Sequence, residues 1–503
     1  MAGEAQRLLT EALGRARAGD LRGADDLIER ALALAPRDPA VLLGRAVLHR
    51  AAGRLREALL ACDAALRLAQ DYVEGWLERG VILSSGGSIG PAREAFAKVA
   101  ALAPEHAETH ANLAELAARE GDWDAAENAA RRALELAPGN IQAAAALGKM
   151  LLERREHEAA RALLEPLVGD AAPGPARMQA MAHLGRALEA AGDVDAAFAW
   201  LERANGDFLQ LAKQAGADRA ASHREFVEAI AAGFSRADKW SAPPDPAPRP
   251  NHIFLLGFPR SGTTLVETVL ASLAGVAALE ERPTLVDVDR RFLLGSPEEI
   301  TDRVAGFAAL PDSELAGLRE AYWAKVQDAG IAPDARHFVD MDPLKGSRLP
   351  FIARLFPQAR TVVMRRDPRD VVLSCFRTQF ALTGAAVEFA SLERTARLYD
   401  AMMRLIEAAR DRTQLAFHEL RYEDLVADFE PTTRALCDFA GIAWSSAVGD
   451  FAATSRDRRV ATASAAQVRK GLYDGSRQWE RYAAQLEPVL PVLNPWIERF
   501  GYA

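Results

Sequence analysis

The feature that most constrains this 503-residue chain is a spacing of 34 residues in its first third. Gly19, Gly53, Gly87 and Gly121 recur at that interval, and Ala24, Ala58, Ala92 and Ala126 keep step with them. A third marker shares the period: "LALAP", "LRLAQ", "AALAP" and "LELAP" end at positions 36, 70, 104 and 138. A glycine permits a sharp turn, a small alanine lets two helices approach closely, and a proline prevents the second helix from continuing. One helix-turn-helix unit of this size cannot bury its apolar face alone, so the repetition predicts a stack of such units.

The interval is that of the tetratricopeptide repeat, which this segment resembles. After Pro138 the markers thin, and "DAAPGPAR" at 170–177 precedes a last turn at Gly192 and Asp193. The reading is about five repeats plus further helices to about residue 238. Such a solenoid offers a concave surface to a protein or peptide partner, while scaffolding and self-association as a homodimer stay open. "SAPPDPAPRPN" at 241–251 then places five prolines between Pro243 and Pro250, which reads as a stiff linker.

Beyond the linker the texture changes. "HIFLLGF" (252–258), "HFVDMD" (337–342), "RTVVMRR" (360–366) and "LAFHELRYEDL" (415–425) read as strands, each followed by a helical stretch. That alternation predicts a parallel α/β sheet with helices on both faces. The expected organisation is a helical solenoid over 1–240, the linker at 241–251 and an α/β domain over 252–503. A net charge of −9 gives no overall pull toward nucleic acid, and none is expected as a partner. Cys62, Cys375 and Cys437 lack paired spacing, which argues against a disulfide framework or a zinc cluster. No apolar stretch reaches the length of a membrane span and the N-terminus lacks a signal-peptide core, so a cytoplasmic protein is expected.

"FLLGFPRSGTTLVE" at 254–267 carries the densest chemistry. Gly257 and Gly262 keep the glycine spacing of a nucleoside-triphosphate loop, but Thr263 stands where that loop has its lysine and Arg260 lies inside it. A strand, a tight turn and a helix start aim backbone N–H groups at an anion, and Thr263 and Thr264 add hydroxyl donors. Arg260 can fork onto a single phosphate and its bridging oxygen. Downstream, "VVMRRDPRDVVLS" at 362–374 places Arg366 at a strand end and Ser374 two turns into the next helix, a pair able to grip one doubly charged anion. The plainer reading of "RRDPRD" is a charge cluster at a helix start capped by Asp367 or Asp370. A third element, "VRKGLYDGSRQW" at 468–479, contributes Arg469, Lys470 and Gly471.

These elements, in this order, resemble the sulfotransferases that use 3'-phosphoadenosine 5'-phosphosulfate (PAPS). The resemblance covers roughly 250–503 and implies a P-loop-like α/β fold. It implies a 5'-phosphosulfate loop formed by Pro259, Arg260, Ser261, Gly262, Thr263 and Thr264. It also implies a 3'-phosphate site made by Arg366, Ser374, Arg469, Lys470 and Gly471, with no metal. Ser464 is a weaker candidate near the donor's bridging oxygen.

Tyrosylprotein sulfotransferases use a glutamate after the first helix as general base. In "ALEERPTL" Glu281 falls at that place, beside Glu280 and Arg282, with Pro283 interrupting the match. Glu281 and Arg260 are therefore the expected catalytic residues, and the expected acceptor is a tyrosine of a protein or peptide. The clearest departure lies in "HFVDMDPLKGSRLP", where Met341 takes the place of a lysine that steadies the leaving group and Lys345 follows four residues on. A small-molecule, glycan or lipid hydroxyl would use the same machinery. A P-loop kinase or nucleotidase, and a repeat adaptor with an inactive transferase domain, are the competing classes.

Overall fold

The computed structural model describes residues 2–169, 171–216, 222–237, 240, 250–332, 335–451 and 471–503. The chain divides into two compact units, Met1–Ala204 and Asn205–Ala503.

In the first unit the sequence period becomes a structural one. Helices Leu21–Leu34, Leu55–Leu68, Ile89–Leu102 and Trp123–Leu136 start and end 34 residues apart. Ala24, Ala58, Ala92 and Ala126 are fully buried or nearly so, and so is Ala160, the next in the series. Each turn before these helices holds a glycine in left-handed backbone, with φ between 75° and 87° at Gly19, Gly53, Gly87 and Gly121. Nothing lies within 4 Å of where a Cβ would stand at any of the four, so conformation and not space demands the glycine. The repeat also persists past Pro138. Helices Ile141–Glu153 and His157–Val168 continue it, and Arg155 takes the glycine's place with φ 63°.

The second unit is built on a five-stranded sheet: β1 (Asn251–Leu256), β2 (Val276–Glu280), β3 (His337–Met341), β4 (Arg360–Arg365) and β5 (Ala416–Arg421). The order is β2-β3-β1-β4-β5 and every pairing is parallel. Along β1 the pleat sends alternate side chains to opposite faces. Ile253 and Leu255 join a core with Val266, Val269, Leu425 and Leu436. His252 and Phe254 pack on the other side against Tyr322 and Phe356. Both faces are thus covered, as an all-parallel sheet requires.

Two expectations are corrected. The segment 415–425 is strand only to Arg421, after which Tyr422–Ala427 forms a helix. β2 was not anticipated at all: "VAALE" is short, half-exposed and alanine-rich, which weakens both the pattern and the propensity that mark a strand. The linker stretch 241–249 lies outside the described residues. Helix His223–Arg236, which the sequence reading grouped with the repeats, packs in the second unit against helix Pro297–Phe307. Its Gly233 lies where a Cβ would stand 2.5 Å from the Thr301 carbonyl oxygen. Among the described residues no helix is long and apolar enough to cross a membrane.

Candidate active site

Parallel strands gather their following loops at one edge of the sheet, and that edge collects the chemistry here. The loop 257–262 follows β1, Glu281 follows β2, Asp342 and Lys345 follow β3, Arg366 follows β4 and Tyr422 follows β5.

The loop after β1 closes through a hydrogen bond from Ser261 N to the Phe258 carbonyl, 3.1 Å. Two of its residues hold left-handed backbone, Gly262 with φ 109° and Arg260 with φ 70°. For arginine that conformation costs about 1–2 kcal/mol, so the surroundings must enforce it. Gly257 is required by space, since a Cβ there would stand 2.7 Å from Ser261 Oγ and 3.2 Å from the Met364 carbonyl oxygen. Helix Thr263–Ala271 begins directly after Gly262 with no side-chain cap. Its first-turn N–H groups lie outside the helix's own ladder, at the positive end of its dipole. The Ser261 hydroxyl is buried and has no hydrogen-bond partner among the described residues. An orphaned hydroxyl beside an uncapped helix start fits an oxyanion such as a phosphate.

Two arginine contacts join this loop to distant segments, and a third extends the link to Gly475. Arg260 Nε donates to Ser374 Oγ at 3.1 Å, so Ser374 stands beside Arg260 as well as on the helix after Arg366. Arg366 Nη1 donates to the Arg260 carbonyl at 2.8 Å and Nη2 to the Gly475 carbonyl at 2.6 Å. Among the described residues its Nε is buried without a partner. Burial, partly offset by Cys375 and reinforced by Arg366, holds the Arg260 pKa below its ordinary value. A bound anion would reverse that effect.

The segment around Gly475 is strapped down by residues that sequence reasoning missed. The Tyr422 hydroxyl donates to the Tyr473 carbonyl and accepts from Gly475 N at 3.2 Å, while the Arg366 guanidinium lies 4.9 Å over the Tyr422 ring. Asp370 accepts from Arg477 N at 2.7 Å and Trp479 N at 2.8 Å. Burial is the main cause that raises the Asp370 pKa to about 6, with Arg366 pulling it down. Arg369 binds both Asp367 oxygens and covers Trp479 at 3.7 Å. The reading of Asp367 as a helix cap holds, with its carboxylate accepting from Arg369 N; Asp370 has this second task. The only sequence signal for it was a second aspartate in "RRDPRD", and nothing local names its partners a hundred residues away. Ser464, Arg469 and Lys470 lie outside the described residues, and Gly471 is described with φ 97°.

On the other flank, Glu281 follows the last residue of β2 in left-handed backbone, φ 45°, with its N–H donated to the Met341 carbonyl at 2.8 Å. The residue is reachable from solvent. Desolvation by the protein around it, then the charges of Asp342 and Glu280, raise its pKa to about 7, against an opposing pull from Lys345. A carboxylate so tuned can accept a proton near neutrality.

Met341 pairs in register with Leu255 and Glu280 and is fully buried in the core. Lys345 does not take over its place: Nζ is held by Asp340 Oδ1 at 2.5 Å, Thr284 Oγ1 at 3.1 Å and the Arg282 carbonyl at 3.3 Å. Among the described residues no group of three His, Cys, Asp or Glu side chains could hold a metal.

Residues 250–446 match the sulfotransferase family, and residues 9–73, 77–141 and 145–208 match the tetratricopeptide repeat. An uncharacterized protein of Aquifex aeolicus is 28% identical over 345 residues, covering 66% of this chain and 43% of its own length. Protein-tyrosine sulfotransferase 1 of Danio rerio is 28% identical over 201 residues, covering 39% of this chain and 54% of its own. The chain spans about half the length of these curated relatives. Among solved structures, that of Pseudomonas aeruginosa pilF aligns at a TM-score of 0.37 with 16% identity, covering 40% of this chain and 90% of that one.

Proposed function

We propose that this chain, whose residues 250–446 match the sulfotransferase family and whose earlier residues match the tetratricopeptide repeat, transfers a sulfuryl group from PAPS to an acceptor hydroxyl. The proposed acceptor is a tyrosine side chain of a protein or peptide. The observation that carries the reading is the placement of two opposite chemistries on one sheet edge. An anion-fitting loop stands at the end of β1, and a carboxylate with its pKa near 7 stands at the end of β2.

In this reading Pro259 to Thr264 hold the 5'-phosphosulfate. Arg366, Ser374 and residues 469–471 hold the 3'-phosphate. Glu281 removes the proton as the acceptor oxygen attacks sulfur in line; the bond from sulfur to the bridging phosphate oxygen breaks, and its electron pair leaves with the adenosine bisphosphate. Arg260 and the loop amides stabilise the charge gathering on that oxygen. With Met341 in the core, this task falls to Arg260 without a neighbouring lysine. No metal is needed, because one phosphate presents less charge than the triphosphate that a lysine and Mg²⁺ neutralise. The tyrosine acceptor is supported by the glutamate base and by the likeness to protein-tyrosine sulfotransferase 1. The repeats are proposed to carry a protein or peptide partner.

Calorimetric titration with 3'-phosphoadenosine 5'-phosphate, against ADP with Mg²⁺, tests the donor site; transfer to tyrosine peptides and small phenols tests the acceptor. Binding of the bisphosphate that is weakened in Arg366→Ala, with transfer sharply reduced in Glu281→Gln, is the expected result. Binding of ADP with Mg²⁺ alone would overturn the reading in favour of a nucleotidase. Bisphosphate binding without transfer to any acceptor would favour the inactive-domain adaptor, and transfer confined to small phenols would replace the tyrosine acceptor.

A further inference from the structure

We infer that the buried Asp340 and Lys345 pair is the positioning element of the Glu281 base: it fixes the turn that carries Glu281 and supplies the cation that faces its carboxylate. The inference rests on the proposed role of Glu281 and extends it to residues that touch neither donor nor acceptor.

Asp340 and its neighbour Met341 point to opposite faces of β3, and Asp340 is completely buried. Both its oxygens are engaged. Oδ1 receives Lys345 Nζ, and Oδ2 receives Thr284 Oγ1 at 2.9 Å and the Tyr322 hydroxyl at 2.7 Å. The Tyr322 hydroxyl is in turn 2.8 Å from His252 Nε2. Since that hydroxyl donates to Asp340, the network assigns the imidazole proton to Nε2. Burial, opposed by Asp340, lowers the His252 pKa to about 3, which keeps the ring neutral. An ammonium has three hydrogens, and Lys345 meets three acceptors, Asp340, Thr284 and the Arg282 carbonyl. It has no donor to spare for a leaving group.

A buried ion pair is usually no more stabilising than well-packed apolar side chains, so its presence here calls for a reason other than stability. Its partners supply one. Arg282 follows Glu281 directly and Thr284 lies two residues further, so Lys345 and Asp340 grip the turn just after the base. Just before it, Glu281 N is held by the Met341 carbonyl. The turn is therefore tied to β3 and the 3₁₀ helix Pro343–Arg348 on both sides of a non-glycine residue in left-handed backbone. Such a conformation persists only when its surroundings over-determine it, and a buried pair whose ammonium and carboxylate are both fully engaged is a rigid anchor. The charged groups facing Glu281 are Glu280 from β2, Asp342 from the end of β3 and Lys345 from the 3₁₀ helix. Lys345 opposes the other two.

The test is the neutral pair Asp340→Asn with Lys345→Gln, which keeps polar side chains of similar bulk at both positions while removing both charges. Lys345→Met alone would strand a buried carboxylate and is unsuitable. Three quantities are read: bisphosphate affinity by calorimetry, the pH profile of kcat/KM, and the titration of the Glu281 carboxyl by carbon-13 NMR, assigned with Glu281→Gln. The expected result is near-native affinity for 3'-phosphoadenosine 5'-phosphate, with the Glu281 titration and the acid limb of the rate both moved up by about one pH unit. Native affinity with an unmoved titration would overturn the inference. If the double variant does not fold, Lys345→Arg decides. It keeps the charge but cannot reach the same three acceptors, and kcat is expected to fall at least about tenfold with the titration still near 7; wild-type kcat in the folded variant would overturn the inference. If the wild type transfers nothing to any acceptor, the functional reading fails, and the NMR titration, which needs no turnover, still decides this one.

Discussion

The repeats and the α/β unit both use left-handed backbone, but they staff it differently. In the repeats it falls on turn glycines with open space around them, Gly19, Gly53, Gly87, Gly121 and Gly192, and on one substitute, Arg155. In the α/β unit it falls on Arg260, Glu281 and Arg477 as well, non-glycine residues at or beside the candidate site. Each of those three is over-determined by long-range contacts: the Ser374 and Arg366 bonds at Arg260, the Met341 carbonyl at Glu281, the Asp370 carboxylate at Arg477. Strain that can be avoided with glycine is avoided where only shape matters, and is retained where a charged side chain must be aimed.

That contrast makes quantitative predictions. The largest effect belongs to Glu281→Gln, expected to lower sulfuryl transfer about 10²- to 10⁴-fold while leaving bisphosphate affinity unchanged in calorimetry; a small loss would dissolve the distinction between aimed and merely strained residues. Arg366→Ala should weaken bisphosphate binding about 10- to 100-fold, because it removes a charged donor and unties two carbonyls at once. The pH profile sharpens the point. A base must be unprotonated to act, and the Glu281 pKa is raised to about 7, so kcat/KM should fall about tenfold per pH unit below 7 and level off above it. The same raised pKa has a stability sign: relative to an unfolded glutamate near 4.5, Glu281 favours the fold in acid, and that contribution disappears as pH climbs through 7. In the repeats, Gly87→Ala should cost about 1 kcal/mol in thermal unfolding without touching transfer. Smallest of all, Arg155→Gly should stabilise the chain by about 0.5–1 kcal/mol, since it restores glycine where the period places it.

What the sequence disclosed follows the same line. A repeat is a local pattern, so a 34-residue interval was enough to place Ala24, Ala58, Ala92 and Ala126 in helix interfaces; the fifth turn was obscured only because Arg155 stands in for glycine. The anion loop was legible for a similar reason, since strand, glycines and helix start are contiguous. β2 was not, because an edge strand reading "VAALE" is specified by its register with β3 rather than by its own residues. The tasks of Asp370, Tyr422 and Asp340 were equally hidden. Each acts on a segment many residues away, and an aspartate or tyrosine read in its own stretch does not say what it will meet.

Arg366 touches the carbonyl of residue 260 with one nitrogen and that of residue 475 with another. Consider a nascent chain leaving the ribosome N-terminus first. Its helical hairpins can form from neighbouring residues as soon as they emerge, but the guanidinium has only one of its two anchors until residue 475 has been synthesised and cleared the exit tunnel. Until then the candidate site lacks a wall, and a chain cut short of residue 475 keeps its repeats but leaves Arg366 with a single anchor.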